Sequence, residues 1–222
     1  GAKMIVARDG LRWGTVGGGK VEAKAIEKAR ELLDRGFREP LYLTWNLTRD
    51  IGMTCGGELS YLFEPHGAQS WVVAVYGAGH VGQALTRLLS LLDCQVVCFE
   101  ERKEWRERLS PHPRMKADAL ANPELRVESL PKDAFHVVVT QGHATDLPIL
   151  LALARLSPRY VGVIGSDLKA RKLRSDLLAQ GAPPAFVERL HCPIGLEIGT
   201  NHPGEIAVSI AAELLQERDR LR

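Results

Sequence analysis

From position 71 onward, apolar residues fall into short continuous runs that alternate with stretches of helical periodicity. The runs lie at 71–76, 95–99, 136–140 and 160–164. Continuous apolar strands are typical of a parallel sheet that is covered on both faces. Helices are predicted between and after them, at 83–92, 101–109, 147–156 and 168–180. This alternation predicts a doubly wound, Rossmann-like α/β sheet.

The first part of the chain has a different pattern. Strands are predicted at 3–7, 11–16, 41–45 and 59–63, with a hairpin turn at Asp9-Gly10 and a helix at 21–33. The breaker cluster 65–67 separates the two patterns. We therefore predict a smaller N-terminal α+β domain, 1–66, and a Rossmann-like domain, 67–222. A last helix at 204–218 presents Ile206, Ile210 and Leu214 on one stripe.

Composition narrows the function classes. The 29 basic and 27 acidic residues give a net charge of +2, so no nucleic-acid partner is expected. No apolar run approaches the roughly 20 residues of a membrane span, and no signal peptide is evident. These features favour a soluble cytoplasmic protein without a membrane partner. The four cysteines have no metal-site or disulfide spacing, and Cys94 and Cys98 are expected in the core.

The segment Gly77-Ala78-Gly79-His80-Val81-Gly82 follows a predicted strand and opens a helix. In such a motif Gly77 permits the turn, Gly79 lets a pyrophosphate approach, and Gly82 allows close helix packing. Glu100 ends the next strand, where an acidic side chain binds an adenosine ribose. The motif favours nucleotide or phosphate binding, with His80 in the same loop. The alternative is a structural turn in a fold that has lost its nucleotide.

Two later strands end in polar segments. His143, in Gln141-Gly142-His143, is placed to bond a cofactor or move a proton, unless it is solvated and Asp146 only caps the helix. Gly165 and Ser166 follow the next strand and are further candidate cofactor contacts. The basic residues behind them are more typical of a solvated helix face.

The N-terminal block contains two glycine-rich segments with chemical potential. Gly17, Gly18 and Gly19 precede a helix and form a second candidate anion site, beside Lys20. Cys55 precedes Gly56 and Gly57, and backbone amides in such a turn can lower a thiol pKa. Function and simple turn packing remain open alternatives for Cys55 on this pattern alone.

Six segments of the chain, two in its first part and four in its second, resemble motifs of the XdhC/CoxI family. Gly-Thr-Val-Gly-Gly-Gly at 14–19 with Glu22, and Asp-Ile-Gly-Met-Thr-Cys-Gly-Gly at 50–57, resemble its N-terminal domain. Its C-terminal Rossmann domain is similar to the segments at 77–82, 163–166 and 193–199, and to the final helix. The matches cover nearly the whole chain in the family's order.

The resemblance implies an accessory factor that binds molybdenum cofactor, supports its sulfuration by a cysteine desulfurase, and inserts it into a xanthine dehydrogenase-type molybdenum hydroxylase. It implies that Cys55 contacts the molybdenum or its sulfur, and that the glycine turns at 17–19 and 77–82 hold the pterin phosphate or a nucleotide extension. Accessory factors of this kind often pair, so a homodimer is expected. The family's upstream Gly-Ser-x-Pro-Arg stretch does not occur in the sequence, and cofactor binding is expected to suffer without it.

A cofactor carrier or chaperone is favoured over an enzyme. The competing interpretation is an NAD(P)-dependent oxidoreductase, or a nucleotide-sensing module, that uses the Rossmann motif with His143 as acid or base. A regulatory assembly module is a third. A Rossmann fold alone does not establish chemistry.

Overall fold

The computed structural model describes residues 1–37, 39–54, 56–66, 71–119 and 122–220. The chain divides into two compact units, Gly1–Gln69 and Ser70–Arg222. Among the described residues, no helix has both the length and the apolar content to cross a bilayer.

The N-terminal unit is an α+β arrangement of two antiparallel hairpins and one helix. Strands β1 (Met4–Ala7) and β2 (Gly10–Gly14) form one hairpin, and β3 (Leu41–Asn46) and β4 (Glu58–Phe63) form the other. Helix α1 (Gly19–Asp34) buries Val21 and Ala25 in a small core with Trp45. The predicted class of this domain is confirmed.

The C-terminal unit is built on a five-stranded parallel sheet. Its strands are β5 (Trp71–Tyr76), β6 (Cys94–Phe99), β7 (Met115–Asp118), β8 (Phe135–Val138) and β9 (Tyr160–Val163). The strand order is β7-β6-β5-β8-β9. After β5 the chain adds β6 and β7 on one side of the sheet, and it then crosses over to add β8 and β9 on the other side of β5. The switch point lies between β5 and β8, and ligands bind at such points in open α/β sheets.

Helices cover both faces of this sheet. They are α2 (His80–Ser90), α3 (Lys103–Arg106), α4 (His143–Leu156), α5 (Asp167–Ala179), α6 (Pro184–Glu188) and α7 (Pro203–Arg220), with a 3₁₀ helix at Pro123–Ser129. One buried cluster joins the sheet to α2 and α7, and a second joins it to α4, α5 and α6. The doubly wound prediction is confirmed.

Some elements differ from the sequence prediction. The helix expected at 101–109 is only the four-residue α3. Strand β7, the 3₁₀ helix and α6 were not predicted. Helices α2 and α4 begin three or four residues earlier than periodicity suggests, directly after their glycine turns.

One face of α7 holds the loop that precedes it. Glu205 accepts from the Thr200 amide at 2.6 Å, Ser209 Oγ donates to the Leu196 carbonyl at 2.6 Å, and Glu213 accepts from the Gly195 amide. The three helix residues are four positions apart and therefore share one face. This polar face is distinct from the predicted apolar stripe, of which Ile210 and Leu214 are fully buried.

Glu213 also connects α7 to the sheet. Its Oε1 accepts from the Tyr160 hydroxyl at 3.0 Å and lies 2.5 Å from His191 Nδ1. Burial raises the pKa of Glu213, but the bonds from His191, the Gly195 amide and Tyr160 outweigh it and hold the pKa below its usual value.

The cysteines of the C-terminal unit are core residues, as predicted for Cys94 and Cys98. Both are fully buried, and burial raises their thiol pKa to about 11 and about 12. Cys192 is also buried, which raises its pKa. None of these three thiols has the thiolate character that nucleophiles and metal ligands need.

Candidate functional site

The three glycines of the 77–82 loop have three different physical roles. Gly77 has φ +106°, and a Cβ there would lie 2.6 Å from the Val139 carbonyl oxygen. A Cβ on Gly82 would lie 2.1 Å from the carbonyl oxygen of Gly77. A Cβ on Gly79 would meet no atom of the described residues within 4 Å. The first two glycines are thus required by packing, whereas Gly79 leaves open space above the backbone.

That open space lies at the N-terminus of α2. The helix has Gly79 as its N-cap and no side-chain cap. Amides in the first turn of a helix have no acceptor within the helix. The backbone and the helix dipole therefore favour an anion such as a phosphate at this point.

Glu100 lies beside the loop, as the motif predicts, but its carboxylate is already occupied. It accepts from the Ala78 amide at 2.8 Å and the Arg102 amide at 3.0 Å. Arg102 Nε and Nη2 add two bonds, at 2.9 and 2.8 Å. Burial raises the pKa of Glu100, but these bonds outweigh it and lower the pKa overall. Glu100 is therefore a buried, ionised partner of Arg102.

Arg102 joins residues from several elements around the loop. The Gln141 side-chain oxygen, in the amide orientation that satisfies its neighbours, accepts from Arg102 Nε at 3.0 Å and Nη1 at 2.8 Å. The guanidinium also lies 5.0 Å from the ring centre of Trp105. The same ring meets His80 edge-on at 4.9 Å. The structure thus brings together the predicted His80 and Glu100 with three residues that sequence reasoning did not select.

A second polar cluster lies at the ends of β8 and β9. Asp146 is fully buried, accepts from Thr140 Oγ1 at 2.6 Å, and lies 2.6 Å from Lys169 Nζ. The lysine contact is an ion pair without hydrogen-bond geometry at Oδ2. Lys169 Nζ also donates to the Ile164 carbonyl at 2.8 Å. The cluster ties the two strand ends together, so the interpretation of Asp146 as a simple helix cap is wrong.

The His143 side chain is 27% exposed and has an acidic partner. Its Nε2 lies 2.8 Å from Asp176 of α5, and its Nδ1 is buried with no hydrogen-bond partner within the described part of the chain. Ser166 is the N-cap of α5 and accepts from the Lys169 amide at 3.3 Å. A Cβ on Gly165 would lie 2.7 Å from the Lys169 side chain. Gly165 and Ser166 thus have evident structural roles, and their cofactor contact stays a prediction.

In the N-terminal unit, the turn at Gly17, Gly18 and Gly19 already binds an anion of its own. All three glycines have positive φ. Glu22 Oε2 accepts from the Val16 amide at 3.0 Å, the Gly18 amide at 3.1 Å and the Thr15 hydroxyl. These bonds lower the Glu22 pKa, with that from Thr15 contributing most. A phosphate at this turn would have to displace Glu22.

The second glycine-rich segment of this unit, at 50–57, contacts helix α1, which follows the first glycine turn. Lys20 Nζ donates to the Gly52 carbonyl at 3.2 Å, and Lys24 Nζ donates to the Asp50 carbonyl. Cys55 lies outside the described residues. Gly56 and Gly57 are exposed, and a Cβ on either would meet no described residue within 4 Å. Across the described ranges no group of three or more potential ligands converges as a metal site.

Comparison with known proteins matches both units to one family. A model of the XdhC Rossmann domain matches residues 73–214, and a model of the XdhC and CoxI family matches residues 1–43. The uncharacterized protein YqeB of Escherichia coli (strain K12) is 31% identical over 98% of this chain and 40% of its own length. A probable xanthine dehydrogenase subunit from Bacillus subtilis (strain 168) is 36% identical over 48% of this chain and 31% of its own length.

The chain therefore spans well under half the length of these two relatives. A crystal structure of a xanthine dehydrogenase from Bacillus halodurans superimposes with a TM-score of 0.58 at 18% identity, covering 99% of this chain and 86% of that one. At this identity the similarity concerns the fold. The family match spans most of the C-terminal unit and the start of the N-terminal one, and the chain belongs to the XdhC family.

Proposed function

We propose that this chain is an accessory factor for the maturation of a xanthine dehydrogenase-type molybdenum hydroxylase. In this role it binds molybdenum cofactor, protects it during sulfuration by a cysteine desulfurase, and delivers it to the apoenzyme. Membership of the XdhC family and the relative named as a xanthine dehydrogenase subunit support this role.

The observation that carries the proposal is the open approach to Gly79 at the start of α2. We propose that the phosphate of a pterin cofactor binds there, because uncapped amides and the helix dipole favour a doubly charged group. Cys55 is the proposed contact to molybdenum or its sulfur, since a soft thiolate suits both. When bound, the cofactor supplies the molybdenum centre that the client enzyme uses.

The direct experiment identifies the ligand and then tests the thiol. The protein is purified from molybdenum-fed cells, and any co-purifying ligand is identified by mass spectrometry. Cys55→Ala is expected to lower cofactor occupancy and client activity without loss of folding. Cys94→Ala is the matched control, because it removes a buried thiol. A co-purifying ligand without a pterin would refute cofactor carriage, and unchanged occupancy and client activity in Cys55→Ala would remove Cys55 from the mechanism.

The second candidate is a nucleotide-dependent oxidoreductase or sensor. The strand order favours it, since it matches that of a dinucleotide-binding fold. Titration with NAD(H) and NADP(H) separates the candidates. Hydride transfer would favour the oxidoreductase, and binding without turnover would favour a sensor or carrier. The proposed homodimer is tested by measuring the mass in solution.

A further inference from the structure

The end of β6 carries a charged pair whose arrangement differs from that of a ribose-binding site. A carboxylate offers about four lone-pair positions to donors. Glu100 receives four hydrogen bonds, one from the Ala78 amide and three from Arg102. A ribose diol would find no acceptor position left on Glu100 unless Arg102 moved away.

Arg102 keeps two donors for a ligand, because Glu100 and Gln141 engage three of its five N–H groups and leave one on each Nη. Its side chain is 31% exposed, whereas that of Glu100 is 5% exposed. A guanidinium is always charged and presents a planar fork that matches phosphate oxygens. Glu100, Gln141 and the Trp105 ring fix its orientation from three sides. A cation held in this way loses little conformational freedom when it binds an anion.

The position of Arg102 relates it to the glycine loop. Glu100 Oε2 accepts from both the Ala78 amide and Arg102 Nη2 at 2.8 Å, so the guanidinium is a direct neighbour of the loop. Glu100 directly follows β6 and Gln141 lies three residues after β8, and these strands flank β5, from which the loop emerges. Arg102 thus supplies positive charge beside the open backbone at Gly79.

We infer that Arg102 is the specificity-determining residue of the anion site at Gly79, that it recognises a phosphate group of the ligand, and that Glu100 positions it. This inference rests on the proposed phosphate-binding role of the Gly79 site. The phosphate belongs either to a pterin cofactor or to a nucleotide, and the chemistry of recognition is the same for both.

The experiment compares Arg102→Gln with Arg108→Gln by isothermal titration of the full chain. Arg108 is the matched control, because it lies 4.9 Å from the same Trp105 ring and carries the same charge, while its side chain is exposed. The probes are pyrophosphate, NAD⁺, NADP⁺, isolated molybdopterin, and adenosine as a ligand without phosphate. Salt at about 0.15 M screens the general effect of net charge.

The wild-type protein is expected to bind pyrophosphate, and Arg102→Gln should weaken this by about tenfold or more, which corresponds to 1.4 kcal/mol. Arg108→Gln should change it by less than about twofold, as for a screened surface charge. Adenosine binding should not weaken in Arg102→Gln, because Glu100 is then freed. Arg102→Lys keeps the charge without the planar fork and is expected to lie between wild type and Arg102→Gln.

The remaining probes identify the source of the phosphate. If Arg102→Gln loses affinity for molybdopterin and pyrophosphate only, the phosphate belongs to a pterin cofactor. If it also loses affinity for NADP⁺ or NAD⁺, the phosphate belongs to a nucleotide. The inference is overturned if wild-type protein binds no phosphate-bearing probe at millimolar concentration, if Arg102→Gln and Arg102→Lys bind as tightly as wild type, or if Arg108→Gln loses as much. These titrations involve neither the client enzyme nor Cys55. A failure of the proposed maturation role would therefore not change their outcome.

Discussion

The different roles of Gly79 and Gly82 predict opposite responses to the same substitution. Gly79 has φ −63° and ψ −171°, a conformation that alanine adopts without strain. The added methyl group in Gly79→Ala meets no atom within 4 Å in the described part of the chain. Loss of chain entropy in the unfolded state stabilises alanine by about 0.4–1 kcal/mol, and its poorer N-cap propensity offsets a similar amount. We therefore expect the melting temperature to stay close to that of wild type.

In Gly82→Ala the same methyl group would lie 2.1 Å from the Gly77 carbonyl oxygen, so helix and loop must separate. Overpacking of this kind costs about 1–3 kcal/mol or more, and the better helix propensity of alanine recovers about 1 kcal/mol. A 2.1 Å contact with backbone favours the upper end of that range, and a net loss of about 2 kcal/mol then lowers the melting temperature of a unit of this size by roughly 4–8 °C.

Differential scanning calorimetry and titration with pyrophosphate test the pair. Gly79→Ala should keep the wild-type melting temperature and lose at least about tenfold in pyrophosphate affinity, because its methyl group blocks the approach to the amides. A melting temperature as low as that of Gly82→Ala would show that Gly79 is needed for packing. Undiminished pyrophosphate binding by Gly79→Ala would refute the open site above it.

Two further predictions concern buried titratable groups. Burial lowers the pKa of His136 from 6.5 to about 4, because the buried ring is more stable when neutral. The free energy of unfolding is therefore highest above pH 6.5 and falls by about 3 kcal/mol as the pH is lowered to 4. Its Nδ1 lies 3.0 Å from the Tyr76 hydroxyl. In a Tyr76→Phe background, His136→Phe should therefore flatten the dependence of urea-unfolding stability on pH in this window, and parallel curves would contradict this. Separately, iodoacetamide at pH 8 should leave native Cys94 and Cys98 unmodified, because burial raises their pKa to about 11 and about 12, whereas Cys55 should react. Peptide mass mapping with a urea-denatured control reads the labelling, and equal labelling of the three thiols would contradict it.

The sequence pattern predicts those parts of the fold that short-range periodicity encodes. Strands β5, β6, β8 and β9 are continuous apolar runs because both sheet faces are buried. Strand β7 escapes prediction because its four residues, Met115–Asp118, lie at the sheet edge and include charged positions. Its pairing with β6 is decided by the topology of the sheet.

The site was predictable where backbone geometry dictates residue type. The spacing of Gly77, Gly79 and Gly82 predicts a turn, an open approach and a close packing contact, and the structure has all three. Contacts between distant side chains were not predictable in this way. That Arg102 would saturate Glu100 and reach Gln141 depends on rotamers and on which strands are neighbours. An arginine two positions after the acidic residue was the available signal.

In the N-terminal unit, the glycine turn was predicted as an anion site without regard to the acid one helical turn away. Glu22 follows Gly18 by four residues and reaches back to its amide. An acidic residue in the first turn of a helix commonly satisfies free amides there, and this rule could have identified Glu22 as the turn's own anion.

The polar face of α7 has a mechanical consequence. Glu205, Ser209 and Glu213 each form a hydrogen bond with a different residue of the loop between Gly195 and Thr200. The helix and the loop are therefore expected to move as one rigid body. A displacement of α7 along its axis by one turn, about 5.4 Å, would break all three hydrogen bonds together. Truncation of the chain before Glu213 would therefore free the Gly195 amide, 18 positions upstream of the removed side chain. A tether attached beyond Arg220 would transmit force through the helix to the same loop.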